Sequence, residues 1–176
     1  MIRLRRLARD TRGVSAVEFA FIAPVLILAY FGLAELCGAM LAERKTSHVA
    51  YAVGDLAAQA TTLHDSDITN IFAIGNIIMS PDPTAGLKMR ITSVQADSKG
   101  ATTVGWSDAS GLTANTPGNT IAIPANLIGN SQSIIKAEAQ YTYTVPVAYM
   151  LPASFPFSYT FYLRPRIVDP VSRVSP

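Results

Sequence analysis

The sequence predicts an α+β fold: a long N-terminal helix, first transmembrane and then amphipathic, followed by a second helix and an antiparallel sheet of about four strands. Three observations carry this. Residues 19–42 are almost wholly apolar and follow a cluster of arginines. Residues 43–84 repeat apolar side chains at helical spacing. Beyond residue 85 the apolar spacing changes to every second residue.

The chain of 176 residues suits one domain with an attached segment. Only 15% of it is charged, where about 25% is usual for a soluble domain. The net charge of +2 misleads. Without residues 1–13, Lys+Arg falls from 14 to 9 and Asp+Glu from 12 to 11, leaving −2. The basic character therefore belongs to a leader carrying Arg3, Arg5, Arg6, Arg9 and Arg12, and no nucleic-acid surface is implied. The one cysteine, Cys37, allows no internal disulfide, and its apolar setting predicts packing.

The first element is that basic leader, residues 1–13, expected in the cytoplasm. Residues 14–42 form the membrane-spanning helix. Its apolar core, residues 19–42, would be roughly 36 Å long, enough to cross a hydrocarbon layer of about 30 Å. Five arginines precede the span and only Arg44 and Lys45 follow closely, so the C-terminal part is expected outside. Pro24 lies inside the span and frees the carbonyl of Ala20, which predicts a loosened turn over Ala20–Pro24. Ala34, Gly38 and Ala42 form a stripe of small residues where another helix can approach. Glu35 interrupts the apolar run; its simplest reading is a side chain that reaches back to water at the end of the span.

Residues 43–84 hold a helical continuation and the second helix. Val49, Val53, Leu56, Ala60 and Leu63 mark a buried stripe that carries the first helix to about Leu63. Gly54 weakens it slightly. Asp65 or Ser66 caps the second helix, with Ile68, Ile71, Phe72, Gly75, Ile78 and Met79 on its inner face. Pro81 and Pro83 end it.

Residues 85–176 form the sheet region. "LKMRIT" (87–92) and "ATTVGW" (101–106) are strands, and "SDASGLTANTPGN" (107–119) reads as loop. "IKAEAQYTYTVPV" (135–147) alternates most clearly. Ile135, Ala137, Ala139, Tyr141, Tyr143 and Val145 face the core, with Lys136, Glu138, Gln140, Thr142 and Thr144 on a wet face. Pro146 suits an edge or bulge near its end. Phe157, Tyr159, Phe161 and Leu163 repeat the pattern.

The leader and the run beginning Gly13-Val14-Ser15-Ala16-Val17-Glu18 raise a chemical question, because a carboxylate held within lipid costs roughly 2.5 kcal/mol or more near the centre. Glycine suits a protease subsite that admits no side chain. A cut after Gly13 would free the Val14 amine, one helical turn from Glu18. A carboxylate there is favoured by the helix dipole and by an ammonium partner, its own or a neighbouring subunit's.

Arg12 and Gly13, then Ala16, Val17, Glu18 and Phe19, then Pro24, then Gly32 with Glu35 three residues on, resemble the N-terminal signature of TadE-like proteins. These are pseudopilins of the tight-adherence, or Flp, pilus system. The set spans residues 12–35 of the chain. "LRPR" (163–166) also resembles the family's C-terminal strand. The resemblance implies a pilin-like fold and a bacterial inner-membrane protein with its outer domain in the periplasm, able to enter an extracellular pilus. It implies cleavage by prepilin peptidase between Gly13 and Val14, with Glu18, Phe19 and Pro24 serving subunit assembly. Ala34, Glu35, Gly38 and Ala42 are further helix-packing candidates. The partners implied are the peptidase, other pilin-like subunits, the inner-membrane assembly platform and membrane lipid. Residues 85–130 match nothing in the family pattern.

Rival readings are an uncut membrane-anchored binding or scaffold domain, a secretory signal cut before Glu35 at "GLA", and a lipoprotein site at Cys37. The signal reading fails on the apolar stretch that continues to Ala42, and the lipoprotein reading on Glu35, where a small residue is needed. An enzyme is not expected, nor a cofactor or metal. His48 and His64 are roughly 24 Å apart on one helix. "DSDITN" lacks the glycine and terminal glutamate of a calcium loop. Trp106 and the tyrosines read as core and sheet residues.

Overall fold

The computed structural model describes residues 13–146 and 152–174. The leader therefore lies outside the described residues apart from Gly13. Helix α1 spans Val14–Gln59 without interruption, with Pro24 inside it. The helix continues through Ala20–Pro24. None of residues 14–34 is buried. From Glu35 onward one stripe turns inward: Ala39, Ala42, Thr46, Val49, Ala50, Val53, Gly54, Ala57 and Ala58. Its side chains are small, so a sheet can lie close against it.

α1 stops at Gln59, short of the Leu63 end that its apolar stripe predicts. Ala60 turns extended (φ −78°, ψ 149°). Thr62–Leu63 then forms β1, paired in parallel with β6, Ser172–Arg173. Tertiary pairing thus takes Leu63 from the helix. The two-residue strands carry no detectable period.

Helix α2 spans Asp65–Met79. Its cap is His64, not Asp65 or Ser66: the Asp67 carboxylate accepts the His64 backbone N–H at 2.9 Å, three residues into the helix. Ile68, Ile71, Gly75 and Met79 are buried and Phe72 and Ile78 half-buried, as the period predicts. The last turn is held by Lys45, whose Nζ donates to the carbonyls of Met79 (3.3 Å) and Ser80 (3.1 Å) and to Asp82 Oδ2 (2.6 Å). Those carbonyls have no partner within the helix, and a cation there also meets the negative end of its dipole.

Four strands follow: β2 (Lys88–Ala96), β3 (Thr102–Ser110), β4 (Ser133–Thr144) and β5 (Ser154–Leu163). They form one antiparallel sheet in the order β3-β2-β4-β5. Ser107–Ser110, expected as loop, are strand. They pair with β2, and Arg173 Nε ties Asp108 Oδ2 at 2.8 Å. Pro146 follows the end of β4.

The core lies between α1, α2 and the inner sheet face, which presents Met89, Ile91, Ile135, Ala137, Ala139 and Tyr141. Gly54 is a point of close approach between α1 and the sheet. A Cβ there would fall 2.6 Å from Ala137 Cβ and 2.6 Å from Leu163 Cδ1. The outer sheet face is partly roofed by the β3–β4 connection. Arg90 donates to Thr113 O (2.9 Å), and Asn115 Nδ2 donates to Thr92 Oγ1 (3.0 Å). The C-terminal segment closes the far end. Trp106 Nε1 donates to Val171 O at 2.9 Å, Arg166 N donates to Ala58 O at 2.9 Å, and Arg173 also pairs with Asp65.

Candidate functional site

Residues 14–34 make a bare apolar helix of roughly 32 Å by the rise of 1.5 Å per residue, close to the thickness of a hydrocarbon layer at about 30 Å. Phe19, Phe21, Val25 and Tyr30 are each at least two-thirds exposed or nearly so, and nothing among the described residues covers them. Glu18 and Pro24 are exposed on the same stretch, as are Gly13 and Val14. The chain's own fold thus leaves Glu18 and Phe19 available to something else. Cys37 is exposed too, rather than packed as its apolar setting predicts.

Burial begins at Glu35, which is only 7% exposed. The expectation of a side chain reaching back to water is corrected here: Glu35 is buried and opens the inward-turned stripe of α1 that continues through Ala39 and Ala42. Its Oε1 is sealed and has no hydrogen-bond partner among the described residues. A sealed polar atom of this kind costs about 1–3 kcal/mol.

The small-residue stripe divides at the same place. Ala34 stays exposed, whereas Ala42 is fully buried in the domain core. A Cβ on Gly38 would fall 2.5 Å from the Tyr143 hydroxyl, so Gly38 admits the chain's own β4. One turn further, the Tyr159 hydroxyl donates to Glu43 Oε1 at 2.6 Å. That bond, with burial and the Glu43 charge, raises the Tyr159 phenol above its ordinary value. Tyr143, Tyr159 and Glu43 therefore join sheet to helix where the anchor enters the domain. Their spacing in sequence offered no sign of it.

On the outer sheet face, burial pushes the Glu138 carboxyl up. Bonds from Arg90 (2.7 Å) and Lys136 (3.1 Å) outweigh it, and the carboxyl is held below its ordinary value. Among the described residues, no group of three or more His, Cys, Asp or Glu gathers as a metal site. His48 is exposed on α1 and His64 caps α2.

The architecture defines a class: a domain whose single candidate membrane helix among the described residues is also the central helix of its core. Residues 13–55 match the family model described as TadE-like protein. The match opens on Gly13 and takes in the bare helix and most of its buried continuation, in agreement with the resemblance carried by Gly13 to Glu35. No curated protein and no solved structure matches the chain.

Proposed function

We propose that this chain is a minor pilin-like subunit, or pseudopilin, of a tight-adherence type IV pilus, cut by prepilin peptidase after Gly13. The carrying observation is the coincidence of the TadE-like match with a bare apolar helix that holds Glu18 and Phe19 exposed near its start. The arginine-rich leader orients insertion, leaving the outer domain in the periplasm. Cleavage frees the Val14 amine. Glu18 then pairs with an amine, its own or that of an adjacent subunit, as α1 packs among other pilin-like helices. An ion pair lowers the cost of keeping either charge in lipid. The partners are the peptidase, other pilin-like subunits and the inner-membrane assembly platform, and the role is initiation or assembly of the fibre. The outer domain is large for a repeating fibre subunit, which favours a minor role.

Mass spectrometry of protein from its own host tests the processing step, with an N-terminus at Val14 expected. An intact leader supports the alternative, an uncut single-pass scaffold with an outer binding domain. Glu18→Ala is expected to impair assembly while cleavage and insertion stay normal. Fibres that form normally with this change would refute the pairing role.

A further inference from the structure

The two edges of the sheet are treated differently. The outer edge of β3 is occupied by its own connection: Val104 N donates to Asn119 O (2.9 Å), Gly118 N to Val104 O (2.7 Å) and Ile121 N to Thr102 O (3.1 Å). The outer edge of β5 has no backbone partner among the described residues. β5 is ten residues long and contains no charged side chain. Exposed edges are normally blunted by charge, by a bulge or by proline.

The register fixes which groups point outward. Val145 N donates to Ala153 O at 3.0 Å, so that pair is hydrogen-bonded, and bonded pairs alternate along the ladder. Phe155, Phe157, Tyr159, Phe161 and Leu163 therefore bond to β4. Ser154, Pro156, Ser158, Thr160 and Tyr162 turn their backbone groups to the free edge. Pro156 loses no bond to β4 and removes one outward donor, which confines the open template to Ser158–Tyr162.

We propose that this free edge pairs with β5 of a second copy of the chain, the two strands running in parallel. The choice of copy and direction rests on the anchor. Glu43 meets Tyr159, Tyr51 packs on Phe161, and Gly54 lies against Leu163. α1 thus runs in the same direction as β5. Antiparallel pairing of two β5 edges would reverse one copy and send the two anchors opposite ways. Rotation about the strand direction instead keeps both anchors pointing alike and moves the second α1 to the opposite face of the joint sheet. β3 offers no competing edge because its own loop covers it. With no charge anywhere on β5, like charges never meet across the junction.

The same geometry sets the register. Outward groups lie at even positions in both copies, and parallel strands bond each residue to the two that flank its opposite number. The copies must therefore be offset by one residue. Thr160 of one copy lies beside Phe161 of the other, and both side chains share a face.

The direction rests on the membrane-anchored reading, and the test keeps the two apart. Full-length chain carrying Cys37→Ala is placed in membranes, and its sedimentation with the membrane fraction is read separately. Copies with Thr160→Cys and copies with Phe161→Cys, differently tagged, are mixed and oxidised. A mixed disulfide is expected, with little linkage of Thr160→Cys to itself. Thr160→Pro, which deletes only an outward N–H, is expected to lower pairing about tenfold, the equivalent of losing one or two edge bonds, without lowering the thermal midpoint. If it does lower the midpoint, Thr160→Lys replaces it with the same expectation. Self-linkage of Thr160→Cys in excess of the mixed product would mean antiparallel pairing and overturn the proposal. Absence of any cross-link in membrane-bound protein would overturn it as well, while leaving the anchor intact.

Discussion

Gly54→Ala is the sharpest probe of how the anchor helix meets the sheet. The added Cβ would lie 2.6 Å from Ala137 Cβ and 2.6 Å from Leu163 Cδ1. Carbon atoms in contact prefer about 3.5–4.0 Å, so roughly 1 Å must be recovered. Leu163 Cδ1 ends a rotatable side chain and can yield. Ala137 Cβ is fixed to the backbone of β4, which is hydrogen-bonded on both sides to β2 and β5. The helix must retreat, loosening Val49, Ala50, Val53, Ala57 and Ala58, all fully buried. Overpacking of this kind costs about 1–3 kcal/mol, and replacing a mid-helix glycine returns about 1 kcal/mol. The expected net loss is up to about 2 kcal/mol, or up to roughly 8 °C in thermal midpoint for a domain of this size. The assay is thermal unfolding of the full chain in detergent, followed by fluorescence of Trp106, the one tryptophan, which is 7% exposed. Gly75→Ala is the internal control. It gains the same helix propensity, but the added atom meets the Sδ and Cε of Met89, the flexible end of a side chain. It should therefore destabilise less. A midpoint for Gly54→Ala above that of the parent chain would refute the close-approach argument.

Two further outcomes are expected. Glu35→Leu removes a sealed oxygen that has no partner among the described residues and should leave the single chain at least as stable, with a gain of up to about 1–3 kcal/mol; a clear fall in midpoint would mean that Glu35 has a stabilising contact within its own chain. Glu138 has its carboxyl held below its ordinary value of 4.5, so its contribution is full above that value and is lost as pH falls through the lowered one. The midpoint advantage of the parent over Glu138→Gln should accordingly shrink as pH falls below 4.5, and an advantage that grows on acidification would contradict the assignment.

Elements with a long, regular period were legible before any coordinates. The inner face of α2 from Ile68 to Met79, and the alternation of β4 from Ile135 to Tyr143, are where the sequence places them. Contacts made by distant residues were not legible. Leu63 fits the helical stripe of α1 but is claimed by Arg173, its partner in β1–β6. Asp67, rather than Asp65 or Ser66, completes the cap of α2, because the bond is made by the third helical residue reaching back to His64. Gly54 looks like a flaw in a helix until the sheet pressed against it is known. At the candidate site, the motif marks Gly13, Glu18, Phe19 and Pro24, and all remain outside the packed core. Glu35, Gly38 and Ala42 belong to the same apolar run by composition, yet the sheet lies over that part of α1.

The pairing of Thr62–Leu63 with Ser172–Arg173 joins two segments on either side of the sheet in the sequence, across a separation of 110 residues between Leu63 and Arg173. A ribosome reaches those last residues only after everything between them has been made. The far pole of the domain therefore cannot close until Ser172 and Arg173 have been made. Truncation near the C-terminus would remove the clasp from that pole while sparing the anchor.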